Sequence, residues 1–353
     1  RKRVQFNLKA KIFDRNFQTL HIAEVSIPNI TEQDMLNELC VDNAGNLFLT
    51  KVTTNNQKDA IVQASLLSLP LGSIDIISQP VNKPENIIWD DIRLKINNNE
   101  QKIVFLSFYA TKRKGNIDGL FAQVISPFDS SVTPVETIYP FPNELRMEAR
   151  GEAGVENAFN NYYLEDILIK KDGGFALAAE SIGSANSNNR WNQLNNPGWS
   201  PYDYYMFNPT NGFYNPWRLG GFGGWGGLNA WNWGAPMGGW GFNNGFGGGF
   251  APGGMGWAPQ NNSTRYFADN IALFSVNKKG EVEWTNIIRK SQYEDNTDLF
   301  LGYTTLNTGT DVHFIFNVME KRNYILSDNS VDAVGKLVRN PTFKNLDRGY
   351  DFM

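Results

Sequence analysis

Short apolar runs broken by Asn/Asp/Gly turns recur along most of this chain. Leu39-Cys40-Val41 leads into a turn at Asp42–Asn46, then Leu47-Phe48-Leu49, Ala60–Leu69 and Ile74–Ile77. A second series opens with Asp91–Leu94, turns at Asn97–Glu100, and continues through Ile103–Tyr109, Gly119–Ile125 and Val135–Tyr139. A third starts at Leu164–Ile169, turns at Asp172-Gly173-Gly174 and runs on through Phe175–Ala179. It resumes, after a long interruption, at Asn270–Val276, turns at Lys278-Lys279-Gly280 and finishes with Val282–Ile288. A fourth starts at Phe300, turns at Gly309-Thr310 and includes Val312–Val318. Apolar runs of this length bounded by turn residues predict strands, and the turn chemistry predicts antiparallel hairpins.

Each complete series supplies four strands in roughly 55 residues, close to the repeat of a propeller blade. The predicted fold class is therefore all-β: a β-propeller-like array of four-stranded antiparallel blades. A sandwich would not need the repeat. Val4–Pro28 predicts only two strands of a further blade, Phe6–Ile12 and Thr19–Ile27. No two obvious strands follow Leu337, so closure falls to another segment or lies outside this sequence. The pattern predicts one domain over residues 1–184 and 265–353, with residues 185–264 as an insertion.

That insertion has a different composition. Trp191–Trp257 holds eight of the ten tryptophans and 19 of the 33 glycines. From Leu219 to Thr264 there is no charged side chain. Ordering glycine is entropically costly, so an ordered tract of this kind must dock on something. Three readings compete. One has the rings dock on a hydrophobic protein or barrel surface, with glycine allowing close backbone approach. Another has them stack on sugars, and the third folds the tract back as an internal cap. Dense glycine disfavours a flat sugar platform, and the length exceeds what a connection needs. The expected partner-binding residues are Trp199, Tyr204, Tyr205, Trp217, Trp225, Trp231, Trp233, Trp240, Phe242, Phe246, Phe250 and Trp257.

Charge narrows the classes of partner. The 353 residues carry a formal net charge of −4, and the basic residues are scattered. The longest basic runs are Arg1-Lys2-Arg3 and Lys112-Arg113-Lys114, which argues against nucleic acid. No run of 18 apolar residues predicts a membrane-spanning helix. Cys40 is the one cysteine, which excludes a disulfide scaffold and predicts a small buried hydrophobe. A start at Arg1 fits a processed exported protein or a chain that begins late.

Candidate chemistry is sparse. His21 and His313 sit in strand-like runs and predict packing or strand-face hydrogen bonds. No zinc-type spacing and no nucleophile elbow occurs, so no metal, cofactor or catalytic residue is expected. Gly221–Gly226 matches a dinucleotide pattern only because the tract is glycine-rich, with no strand before it and no helix after it. Asp42–Asn46 lacks the later bidentate acid of a calcium loop and predicts a hairpin turn. Asp90-Asp91 and Glu165-Asp166 each open a blade, and paired carboxylates serve glycosidases. Adjacent acids in a regular strand point to opposite faces, so turn capping or strand-end solvation is the expected role.

Gly173–Glu180, Asp269-Asn270-Ile271, Trp284–Gln292, Gly302-Tyr303 and Phe314–Asn317 together carry a family resemblance. Over about Tyr162–Asn317, without the insertion, the chain resembles a group of exported propeller-like proteins widespread in the Bacteroidota. The insertion is a departure, because the family has a much shorter segment there. The resemblance implies export, in the periplasm at the outer membrane or at the cell surface, and implies no catalytic residues. The expectation is a non-enzymatic interaction subunit docking through the insertion on an outer-membrane barrel. Its sharper form is a plug or accessory subunit of a type IX secretion translocon. The alternative is a surface carbohydrate-binding protein or an adhesin.

Overall fold

In a computed structural model the described residues are 3–186 and 264–344, apart from short stretches at 57–59, 114, 130, 151–153, 296–297, 299–300, 321–322 and 341–342. The expected insertion, with all twelve expected partner-binding residues from Trp199 to Trp257, lies outside them. The described chain is all-β apart from one short helix, α1 (Asn143–Ala149), and one turn of 3-10 helix at Val155–Asn157.

The strands form antiparallel meanders that follow the sequence repeat. β3 (Asp34–Val41), β4 (Leu47–Thr54), β5 (Ile61–Leu69) and β6 (Ile77–Pro80) make the first. The second comprises β7 (Ile88–Asn97), β8 (Lys102–Ala110), β9 (Gly119–Ile125) and β10 (Val135–Pro140). A single residue pair, Ile61 with Trp89, joins these two into one sheet. The third comprises β11 (Tyr162–Ile169), β12 (Phe175–Asn186), β13 (Thr264–Val276) and β14 (Val282–Ile288), with β15 (Gln292–Asp295) beside β13. The fourth is β16 (Thr304–Asn307), β17 (Asp311–Glu320), β18 (Asn323–Asp332) and β19 (Leu337–Arg339), with β20 (Phe343–Lys344) on β18. The propeller-like blades predicted from the hydrophobic pattern are thus present. Among the described residues β1 (Arg3–Phe13) and β2 (Thr19–Thr31) pair only with each other, the two-strand remnant expected at Val4–Pro28.

The turns form as their residues dictate. Asp42 Oδ1 accepts from the backbone N–H groups of Ala44 (3.0 Å) and Asn46 (2.7 Å), and Gly45 takes φ +86°. This is a hairpin turn, with the other carboxylate oxygen, Oδ2, accepting from Asn46 Nδ2.

The chain divides into two compact units, residues 1–181, 270–289 and 331–337, and residues 182–269, 290–330 and 338–353. In the first, an apolar core gathers Leu106 and Phe108 of β8, Leu120 of β9, Leu145 of α1, and Phe175 and Phe274 of the third meander. Phe141 lies 4.1 Å from Phe159 and stacks on Phe274 at 5.4 Å between ring centroids. Burying such rings contributes about 1.5–3 kcal/mol each. A second core in this unit sets Leu8, Ala23, Val25 and Ile27 of β1 and β2 on Leu49, Leu67 and Leu69. The hub of the other unit is Lys290. Its Nζ donates to Ala268 O (3.1 Å) and Gln292 Oε1 (2.5 Å), and it lies over the Phe316 ring. Gln292 in turn donates to Asn317 O and accepts from Gly302 N–H. Several residues of the family-like motifs therefore serve packing.

A carboxylate cluster assembled by three bulges

The first strands of three successive meanders are irregular at the same place. In β3 the register slips between Asn37 and Cys40, so that Glu38 and Leu39 oppose one residue of β4, and Glu38 takes φ +53°. In β7 it slips between Trp89 and Ile92, at Asp90-Asp91. In β11 it slips between Leu164 and Asp166, leaving Glu165 as the extra residue. A bulge bends its strand and re-aims a side chain, and bulges gather beside functional sites. A glutamate in the left-handed region is strained and points the same way.

All three bulges serve one cation. β3 and β11 both pack against β7. Arg93, two residues beyond Asp91 in β7, sends Nε to within 3.3 Å of Asp91 Oδ2. Its Nη1 donates to Glu38 Oε1 at 3.2 Å, and Glu38 Oε2 accepts from the Leu94 N–H at 3.1 Å. Burial works against the charge of Arg93, but Asp91, Glu38 and Glu165 around it more than offset that and raise its pKa. Asp90 and Asp91 are each only 2% exposed, and Glu180 of β12 is buried as well.

Glu165 differs from the other acids. It retains solvent-exposed surface, yet protein surrounds it closely enough that desolvation dominates its titration. Its carboxyl is pushed up to about 7, first by desolvation and then by the negative charges of Glu180, Asp166 and Asp91, against the opposing pull of Arg93. Near neutrality it therefore exists in both protonation states, able to donate or to accept a hydrogen bond.

The expectation that Asp90-Asp91 and Glu165-Asp166 only cap turns or solvate strand ends is corrected here. Strand alternation, which argued for opposite faces, does not hold through a bulge, and Asp91 and Glu165 meet around Arg93. Glu38, Arg93 and Glu180 did not stand out in the sequence. The one available hint was a lone Arg two residues after an acidic pair that opens a blade.

The remaining candidates fall out as structural. His313 Nδ1 lies 2.9 Å from Asp328 Oδ1, which is the expected strand-face hydrogen bond. Cys40 is half-buried, and its thiol is pushed up to about 12 by burial and then by Glu38, which makes it a poor nucleophile. Among the described residues no group of three His, Cys, Asp or Glu side chains could hold a metal ion. No described helix is long and apolar enough to cross a membrane.

No family model matches this chain, and no curated protein matches it. Solved structures align with it distantly. An acylaminoacyl peptidase of Pyrococcus horikoshii aligns with a TM-score of 0.34 and 9% identity, over 88% of this chain and 32% of the peptidase. A GH43 β-1,3-galactosidase aligns with a TM-score of 0.33 and 7% identity, over 97% of this chain and 50% of the enzyme. A GH43_1 enzyme of Xanthomonas citri with bound xylose aligns with a TM-score of 0.33 and 9% identity, over 89% and 75%. This chain thus spans a third to a half of the first two proteins. Likeness at this level transfers no activity. Where a docking subunit of a secretion barrel was expected, the structures that align are glycoside hydrolases and a peptidase.

Proposed function

We propose that this chain is a carbohydrate-directed protein that engages a neutral glycan at Glu165. The observation that carries the reading is that Glu165 alone in the cluster is both solvent-exposed and held near its midpoint at neutral pH. A carboxyl that can donate and accept matches a sugar hydroxyl, which does both. The negative charges of Glu180, Asp166 and Asp91 around Glu165 disfavour phosphates and other anionic ligands. The resemblance to exported proteins supports an extracytoplasmic setting, where glycans are met. Protease accessibility of the chain in intact cells tests that part.

The site reads first as a binding site. Hydrolysis needs a second carboxylate facing the same bond, and Asp91 is buried behind Arg93. The titration of Glu165 near 7 also suits a proton donor to a glycosidic oxygen, with half-buried Asp166 beside it as the second acid.

The test is a panel of neutral oligosaccharides, such as xylotriose and β-1,3-galactotriose, followed by calorimetry at pH 6 and pH 8.5 and by reducing-end release. We expect binding that weakens at the higher pH and falls about tenfold or more in Glu165→Ala, the loss of one well-placed hydrogen bond to a charged or buried partner. Turnover lowered about 10²- to 10⁴-fold in Glu165→Gln would establish the catalytic form. Retention of no neutral glycan, or affinity unchanged in Glu165→Ala, would leave the cluster a structural staple.

A further inference from the structure

The β1–β2 ribbon has one face on the core and a tip that nothing described covers. The inward positions Leu8, Ala23, Val25 and Ile27 pack on Leu49, Leu67 and Leu69. The outward and tip positions would normally be polar, yet Phe13, Leu20 and Ile22 are exposed there, and Phe17 at the turn is 86% exposed with φ +61°. The turn is well made around them. Asp14 Oδ1 accepts from the N–H groups of Asn16 and Gln18, both at 2.8 Å, and Phe17 N–H donates to Asp14 O. Isolated exposed hydrophobes need no explanation, but four large ones within one hairpin end do.

The charges beside this tip decide what it fits. Lys9, Lys11 and Arg15 are exposed on the same hairpin. Lys9 pairs with Glu24 at 3.5 Å, and Asp14 directs Oδ1 at the backbone of the turn. Lys11, opposite Ile22, and Arg15 have no acidic partner among the described residues. The chain as a whole is net negative, so this is local cationic character beside an apolar tip.

We propose that the β1–β2 hairpin tip is an interfacial membrane anchor: Phe13, Phe17, Leu20 and Ile22 insert at an anionic lipid surface, and Lys11 and Arg15 meet its headgroups. The chemistry is that of monotopic attachment, in which shallow apolar burial and electrostatic attraction each add to binding. Long cationic side chains keep their charge at headgroup level while their stems cover the apolar edge. The anchor is independent of the glycan reading.

Vesicle flotation of the full chain tests it, with phosphatidylglycerol-containing vesicles against phosphatidylcholine vesicles. Binding to the anionic vesicles should exceed binding to the neutral ones and fall with salt. Phe17→Ser with Leu20→Ser should lower the partition coefficient about a hundredfold or more, since each side chain loses more than one power of ten in apolar transfer. Lys11→Glu with Arg15→Glu should erase the preference for anionic vesicles. Both pairs are exposed, so circular dichroism and melting should match the parent. Vesicle binding that ignores both double substitutions overturns the anchor. So does a concentration-dependent dimer that Phe17→Ser/Leu20→Ser dissolves while vesicle binding is absent, which would make a second copy the occupant.

Discussion

Two ionic groupings of the first unit tie strands together, and they are opposites. Around Arg93, one buried guanidinium faces Asp91 and Glu38 directly and Glu165 at longer range. Around Lys170, one ammonium donates to Glu283 Oε2 at 2.5 Å and to Ser275 Oγ at 3.2 Å, and Ser275 Oγ donates to the same Glu283 oxygen at 2.8 Å. The Lys170 group is closed: nearly every donor finds an acceptor, and Glu283 sits at the surface with its pKa lowered, first by the hydrogen bond from Lys170. In the Arg93 group Glu165 titrates upward instead, driven first by desolvation. Acids brought together by three bulges, one of them with its carboxyl pushed up to about 7, are the kind of arrangement that recurs at functional sites.

Removing the cations should separate the two groupings most sharply. Arg93→Met removes the guanidinium that faces buried Asp91 and half-buried Glu38 and should cost about 3–5 kcal/mol in urea unfolding at neutral pH. A loss below about 1 kcal/mol would mean that the acids reach water, and the cluster would no longer count as buried. Lys170→Met, by contrast, should cost at most about 1 kcal/mol, because Glu283 can rehydrate at the surface.

Acidity gives a subtler separation. The folded state holds the Glu165 proton more tightly than the unfolded chain, because its value rises from 4.5 to about 7. Its contribution to stability is therefore complete below 4.5 and is lost as the pH climbs through that window. Glu283 runs the other way: its value is lowered, so its contribution is present above the ordinary carboxylate range and is lost as the pH falls through the lowered value. Urea midpoints from pH 4.5 to pH 8 should thus decline less steeply in Glu165→Gln than in the parent. Glu283→Gln should leave this range nearly unchanged and alter only the acid limb. Identical profiles for the parent and Glu165→Gln would show that Glu165 is not enclosed as described.

The site was only half legible in advance. Asp90-Asp91 and Glu165-Asp166 stood out because paired acids at the start of a strand are uncommon, but strand alternation pointed away from a shared site. That rule has a period of two residues and assumes an unbroken ladder. A single extra residue in β7 and in β11 breaks it, and nothing in Trp89–Ile92 or Leu164–Asp166 announces the extra residue. Glu38 was harder still: an acid in the left-handed region has no compositional marker, unlike the glycines at Gly45, Gly173 and Gly280.

What the sequence by itself determined is local. Alternating apolar runs made the strands, Asn/Asp/Gly chemistry made the hairpins at Asp42–Asn46 and Asp172–Gly174, and the four-strand repeat made the meanders. Each of these rests on interactions between residues a few positions apart, and so can be read along the chain. Tertiary structure decided which side chains meet. Glu38, Arg93, Glu165 and Glu180 come from different strands and share one place because β3 and β11 pack on β7 and three bulges turn their acids toward it. The titration of Glu165 follows from that meeting, because desolvation and neighbouring charge belong to the packed assembly and not to any one segment.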